Sequence, residues 1–246
     1  MKSLTITSNE ITVPVKLQEF KDFHGITMCM VVLNEEKEIK DCILHHKPYV
    51  DRIIMIDGGS SDRTIEIATP LVDEIILRKF DGHYSNQANR CFERVRTDWI
   101  LLVDTDERFE KKFLESIRDY INQDDYDCFS FPRKNYINDV YDEEHFPDYQ
   151  DRLFRSYCRR VRPVHGEVVG VKKKTQLRAA EGNFIIHKKS LDRHSFRNTM
   201  YTYFESTFQQ ELGEPGKQLE ETYNKAYPNL HPSKFTFQET PLMRHE

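Results

Sequence analysis

The stretch WILLVDTDERF, residues 99–109, passes from five apolar side chains directly into Asp104 and Asp106, with Thr105 between them. An apolar run this short that closes on polar turn formers is a buried strand, so its carboxylates stand at the strand's carboxyl end. Open parallel sheets bind ligands in the crevice beyond those ends. Two carboxylates held side by side repel each other unless a proton or a cation intervenes, and oxygen ligands of this kind suit Mg2+ or Mn2+.

The rest of the chain predicts the parallel sheet. ITMCMVVL (26–33) is a continuous apolar run. NEEKEIKDCILHHKPY (34–49) has helical periodicity, with Asn34 as cap, acidic residues in its first turn and Ile39, Ile43 and Leu44 on one face. RIIMID (52–57) is a second strand, followed by a tight turn at Gly58 and Gly59 and a short helix capped by Ser61 or Asp62 and stopped by Pro70. DEIILRKF (73–80), YSNQANRCFERVR (84–96) and DWILLVD (98–104) continue the alternation as strand, helix and strand. This order predicts an α/β domain, a Rossmann-like and mostly parallel sheet flanked by helices. Polar residues collect at three strand ends: Asn34 and Glu35, Asp57, and Asp104 to Asp106.

A chain of 246 residues, 38% hydrophobic, can bury one sizeable core, and 12% aromatic content excludes disorder despite 31% charged residues. The body spans 26–190. Residues 1–25 form an extension with a short extra strand at ITVPVKL. From 191 an aromatic helix carries Phe196, Met200, Tyr203, Phe204 and Phe208, a stripe expected to pack on the sheet or on a second subunit of a homodimer. It ends at Gly213 and Pro215, and an extended tail follows. The five cysteines are odd in number and make no metal-type spacing, which predicts reduced core thiols. No apolar run approaches the roughly 20 residues of a membrane span, and MKSLTITSNE lacks the features of a secretory signal. The expectation is a cytoplasmic protein, at most peripheral at the inner face of a membrane. Charge is unevenly spread: residues 98–151 hold 16 Asp or Glu against 6 Lys or Arg, and residues 152–197 hold 13 Lys or Arg against 3 Asp or Glu. The basic half is either a solvated face or a rim for an anionic acceptor, membrane headgroups or nucleic acid.

VVLNEE (31–36), IDGGSSDRT (56–64), NQANR (86–90) and LVDTDE (102–107), in this order and spacing, resemble the family 2 glycosyltransferases, whose nucleotide-sugar domain has the A-type glycosyltransferase fold. DYQDRLFR (148–155) and VHGEV (164–168) look most like the small bacterial transferases related to lipopolysaccharide-core β-glucosyltransferases, in which His is directly followed by Glu; here Gly166 intervenes. The resemblance divides the body into a nucleotide-sugar half (26–107) and an acceptor-side half (108–190). It implies an inverting transferase that moves a hexose from UDP-glucose or a related UDP-hexose to a hydroxyl of a saccharide, lipid-linked or other acceptor, with Mn2+ or Mg2+. Leu33, Asn34 and Glu35 would line the nucleobase pocket, and Asp57 would accept hydrogen bonds from base or ribose. Asn86 and Asn89 would reach ribose or sugar, with Arg90 near the diphosphate. Asp104 and Thr105 would contact the nucleotide. Asp104, Asp106 and His187 would hold the metal, oriented by Glu107.

Displacement at the anomeric carbon further requires a general base. Glu167 is the first candidate, because Val164, Val168 and Val169 would desolvate it and raise its pKa; Asp151 is second and His165 third. A salt bridge to the nearby lysine run is the structural alternative for Glu167. Arg152 and Arg155, in a segment readable as strand or helix, would bind diphosphate or acceptor or pair with the acidic stretch before them. A nucleotidyltransferase would carry a glycine-rich loop after the first strand, and VVLNEEKEIK has none. A nucleotide-sugar-binding protein without catalysis, or a nucleic-acid-directed protein, would not require both Asp57 and the aspartate pair at strand ends. No nucleic-acid partner is favoured.

Overall fold

A computed structural model of the chain describes residues 5–7, 10–14, 23–123, 125–191, 195, 198–202 and 204. Its strands and helices run β1 Thr5–Thr7, β2 Glu10–Pro14, β3 Phe23–Val32, α1 Ile39–His46, β4 Arg52–Asp57, α2 Thr64–Ala68, β5 Glu74–Leu77, α3 Tyr84–Phe92, β6 Thr97–Leu102, β7 Glu107–Phe109, α4 Lys111–Ile121, β8 Cys128–Ile137, β9 Val140–Tyr141, β10 Asp148–Arg155, β11 Arg159–Val161, β12 Glu167–Val169, β13 Lys174–Gln176 and β14 Ile185–Lys189. The main sheet has the order β1-β2-β5-β4-β3-β6-β10-β8-β14-β7. Its centre, β5-β4-β3-β6, is parallel, as the alternating pattern predicts. The extra strand expected near residue 11 is β2, added antiparallel to the β5 edge.

Both faces of the centre are covered, which explains the unbroken apolar runs. Along β4, Ile53 and Met55 face one core with Ile39, Cys42 and Ile43 of α1 and Phe113, Leu114 and Ile117 of α4. Ile54 and Ile56 face the opposite core, with Ala88, Cys91 and Phe92 of α3. β6 alternates likewise: Trp99 and Leu101 on the first face, Ile100 and Leu102 on the second. All five cysteines are buried and free. No helix among the described residues is long and apolar enough to cross a membrane.

Two local expectations are corrected. The first helix begins at Ile39, not beside Asn34, because Asn34 adopts φ 55° and bonds across to the next loop instead of capping. Of the C-terminal stripe, Met200 and Phe204 pack with Phe80 and Val164, at strand-end loops and not on a sheet face. Phe196, Tyr203, Phe208 and the tail lie outside the described residues.

Behind the β6–β7 turn, His46 is fully buried. Its Nδ1 bonds the Cys42 carbonyl at 2.8 Å and its Nε2 accepts the Phe109 amide at 3.4 Å. Burial lowers its pKa to about 3, against the smaller raising effect of the Cys42 carbonyl. Between about pH 6.5 and pH 3 the unfolded chain therefore takes up a proton that the folded chain refuses, so stability falls with pH by up to about 1.4 kcal/mol per unit. Urea unfolding of wild type and His46→Gln at pH 7, 6 and 5 checks this; the variant is expected to show a distinctly flatter dependence.

Candidate functional site

The Asp104–Asp106 turn is held from several directions by main-chain and side-chain bonds. The Glu107 amide donates to the Asp104 carbonyl at 3.0 Å, Arg108 Nη1 donates to the Thr105 carbonyl at 2.7 Å, and the Lys188 amide donates to the Asp106 carbonyl at 3.2 Å. Asp104, with 37% of its side chain exposed, accepts from Arg152 Nη2 at 2.6 Å, and the same nitrogen donates to Glu107 Oε1 at 2.6 Å. Arg152 is inward because β10 bulges between Asp151 and Leu153, so that Arg152, Leu153 and Phe154 are all buried in succession. Burial works against its charge, but Asp104 and Glu107 overcome this and raise its pKa. Arg155, beyond the bulge, lays its guanidinium over the Trp99 ring at 4.3 Å.

From Glu107 the chain of polar contacts continues. Arg133 Nη1 donates to Glu107 Oε1 at 3.0 Å and its Nη2 to Asp148 Oδ2 at 2.7 Å. Burial opposes ionisation of Asp148, but Arg133, Asn135 and Gln150 hold its carboxyl below the usual range. Asn135 Nδ2 donates to Asp148 at 3.0 Å, and its Oδ1 bonds His187 Nδ1 at 2.7 Å. His187 Nε2 then stands 3.3 Å from Asp106 Oδ2, both side chains almost fully buried. Strand pairing sets this up, since His187 is opposite Asn135 on β8 and Glu107 on β7.

The other strand ends form a stitched pair of loops. Asp57 is buried and accepts from the Gly59 and Ser60 amides at 2.9 and 2.8 Å and from Ser60 Oγ at 2.5 Å. Gly59 takes φ 105°, open to glycine at little cost. The Asn34 amide donates to Ser60 Oγ at 2.8 Å and its Oδ1 accepts the Ser61 amide at 2.8 Å, while the Glu35 amide donates to Thr64 Oγ1 at 2.7 Å. A cleft of about 590 Å3 opens here, lined by residues 34–38, Asp62, the 138–139 turn and residues 188–190. Leu33 turns toward Phe80, Tyr84 and Val164. Thr105 is buried.

On the α3 side, Asn89 bonds the Arg160 backbone with both ends of its amide, at 2.8 Å each, which ties β11 to α3. Asn86 is exposed, and Arg90 pairs with Glu93 at 2.9 Å. The apolar enclosure expected around Glu167 does not form: Val164 and Val168 point inward, while Glu167, 55% exposed, points outward and meets Arg162 at 3.6 Å. Strand alternation in β12 is the reason, because neighbours of an outward residue face in. Its partner is Arg162, not the lysine run. Asp151 is instead held by Ser130 Oγ and, at 2.9 Å, by Lys174. His165 adopts φ 49° and sets its ring edge-on to Tyr201 at 5.3 Å. Gly166 carries no Cβ for a visible reason, since one would lie 2.7 Å from Arg160 Nε and from Ser85 Oγ.

A sequence profile described as glycosyl transferase family 2 matches residues 27–194. The chain belongs to this family. A Rickettsia bellii protein named an uncharacterized glycosyltransferase is 26% identical over 187 residues, 74% of this chain and 58% of that protein. Glycosyltransferase SunS of Bacillus subtilis is 33% identical over 97 residues, 38% of this chain and 23% of SunS. The chain spans from 23% to 58% of the length of these curated relatives. Among solved structures, S. aureus TarS 1-349 in complex with UDP-GlcNAc superposes with TM-score 0.54 over 83% of this chain and 73% of TarS, at 14% identity. That likeness gives the A-type glycosyltransferase fold. The nucleotidyltransferase and nucleic-acid readings give way to the family assignment.

For this glycosyltransferase-family chain, the donor set at the turn bears on a metal. With Nδ1 of His187 committed to the Asn135 carbonyl oxygen, a neutral ring presents a bare Nε2 lone pair to the Asp106 carboxylate. Two acceptors opposed at 3.3 Å call for a proton or a cation. Asp106 and His187 therefore fit a divalent ion that takes its remaining ligands from a diphosphate and water. Asp104, drawn to Arg152, is not brought into the same set, and among the described residues no three His, Cys, Asp or Glu side chains form a metal-binding group. Arg152 does pair with the acidic stretch before it, one of the two readings the sequence offered, whereas Arg133 carried no signal because its partners Glu107 and Asp148 are set by strand pairing.

Removing Arg152 takes the nearest cation from the fully buried Glu107, which keeps only Arg133 at 3.0 Å. Arg152→Met is expected to lower the unfolding free energy by about 3–5 kcal/mol, read as a shifted urea midpoint at unchanged m.

Proposed function

We propose that the chain transfers a hexosyl group from a nucleotide sugar, UDP-glucose or a related UDP-hexose, to an acceptor hydroxyl with inversion at the anomeric carbon. The observation that carries this reading is the Asp106–His187 pair at the carboxyl end of β6, beside the Asn34–Glu35 and Asp57 loops that end β3 and β4. The fold neighbour TarS was crystallised with UDP-GlcNAc, which makes UDP sugars the first donors to assay. Asn34, Glu35 and the cleft they line would receive the nucleotide, with the Asp57 turn fixing the loop beneath it. Asp106 and His187 would hold Mn2+ or Mg2+, which when bound supplies positive charge to the departing diphosphate. Glu167 is the base in this reading: its carboxylate faces solvent with one loose Arg162 contact, whereas Asp151 is tied by Ser130 and Lys174. A single displacement needs no second carboxylate as nucleophile. The acceptor would approach from the 108–190 half, whose basic stretch from residue 152 onward suits an anionic or lipid-linked saccharide.

Hydrolysis of UDP-glucose, assayed with Mn2+ and no acceptor, tests the chemistry. Asp106→Ala is expected to abolish turnover and the Mn2+-dependent part of the thermal shift by UDP while the fold survives; undiminished turnover by that variant, or by wild type in EDTA, rejects the metal assignment. Glu167→Gln is expected to keep UDP-sugar binding and lose transfer, and wild-type rates would move the base role to Asp151. Ligand at about 100 times its dissociation constant stabilises by about 2.7 kcal/mol, so a screen of UDP, GDP and TDP identifies the donor nucleotide directly.

A further inference from the structure

Among the described residues, the well-buried arginines follow a rule with one exception. Arg52 pairs with Glu74, Arg133 with Asp148 at 2.7 Å and Arg152 with Glu107 at 2.6 Å. Arg160 has no carboxylate partner among the described residues. Its Nη2 donates to the Gly166 carbonyl at 2.7 Å, and its Nε is enclosed with no acceptor at all. An arginine does not escape by losing its proton, and burying an uncompensated guanidinium costs several kcal/mol.

The surroundings hold it in place. Asn89 clamps its backbone with two bonds of 2.8 Å, and the guanidinium lies against Gly166, where a Cβ would meet Nε and Nη2 at 2.7 Å. The residue is only partly exposed, and the charges that act on it are Arg152, Asp104, Glu107 and Asp151, the surroundings of the β6–β7 turn. Burial and the like charge of Arg152 lower its pKa to about 10, the direction expected for a cation without its anion.

We infer that Arg160 is a preplaced counter-charge for the diphosphate of the donor, the anion completing its shell being supplied by the ligand and not by the protein. The inference rests on the nucleotide-sugar reading above. With Nε enclosed and Nη2 on the Gly166 carbonyl, the remaining N–H groups of the guanidinium would meet the phosphate oxygens, and Arg160 would hold the leaving group from the α3 side while Asp106 and His187 address it from the β14 side.

Calorimetric titration of the full chain with UDP, uridine and inorganic pyrophosphate, in wild type, Arg160→Met and Arg160→Lys, tests it. UDP and pyrophosphate are expected to bind at least tenfold more weakly to Arg160→Met with uridine unchanged, and Arg160→Lys is expected to recover only part. The thermal midpoint of Arg160→Met without ligand should not fall, because an unpaired buried charge has been removed. Undiminished UDP affinity, or equal weakening of UDP and uridine, overturns the inference and assigns Arg160 to holding the hairpin. If Arg160→Met does not fold, the same comparison is made with Arg160→Lys. Wild type that binds none of UDP, GDP, TDP or pyrophosphate sinks the nucleotide-sugar reading together with this one, whereas UDP binding that ignores Arg160 sinks this one alone.

Discussion

One nitrogen of Arg152, 2.6 Å from both Asp104 and Glu107, fixes the carboxylates around which the strand ends are built. Taking a guanidinium and a fully buried glutamate out of water costs several kcal/mol per ion, and only close, well-directed bonds offset that. The bulge in β10 makes this geometry available. Regular alternation would have sent Arg152 and Leu153 to opposite faces; the extra residue buries both.

From that bridge the contacts run through Glu107, Arg133, Asp148, Asn135 and His187 and return to the turn at Asp106. Every step crosses strands: β7 to β8, β8 to β10, β8 to β14. The antiparallel additions to the parallel core therefore do more than extend the sheet, since they position polar side chains that orient two aspartates in different directions. Asp104 is neutralised within the protein, and Asp106 faces a histidine whose tautomer is set by an asparagine. Groups oriented in this way need little reorganisation when charge develops beside them.

The opposite side of the crevice is built by packing. Phe80, Val164, Met200 and Phe204 form a separate small core at the loops, and Leu33 leans on it. Met200 and Phe204 thus pack the wall beside the first strand end. Asn89 and Gly166 serve the same wall, one by pinning β11 and the other by yielding space to Arg160.

The sequence by itself determined the parallel centre, the turn at Gly58–Gly59, the buried thiols and the polar strand ends, because each depends on local periodicity or on backbone freedom within a few residues. Tertiary structure decided which polar side chains meet. Asn34 reads as a helix cap and becomes a loop stitch, Asn89 reads as a ligand group and becomes a strand clamp, and Glu167 reads as desolvated and stands in water. Arg133, Arg152 and Arg160 acquire their meaning only from partners, or the lack of one, brought from distant segments. A charge reports its own type in the sequence, but its energy depends on burial and on the neighbours within a few ångströms, and those are fixed only when the strands have paired.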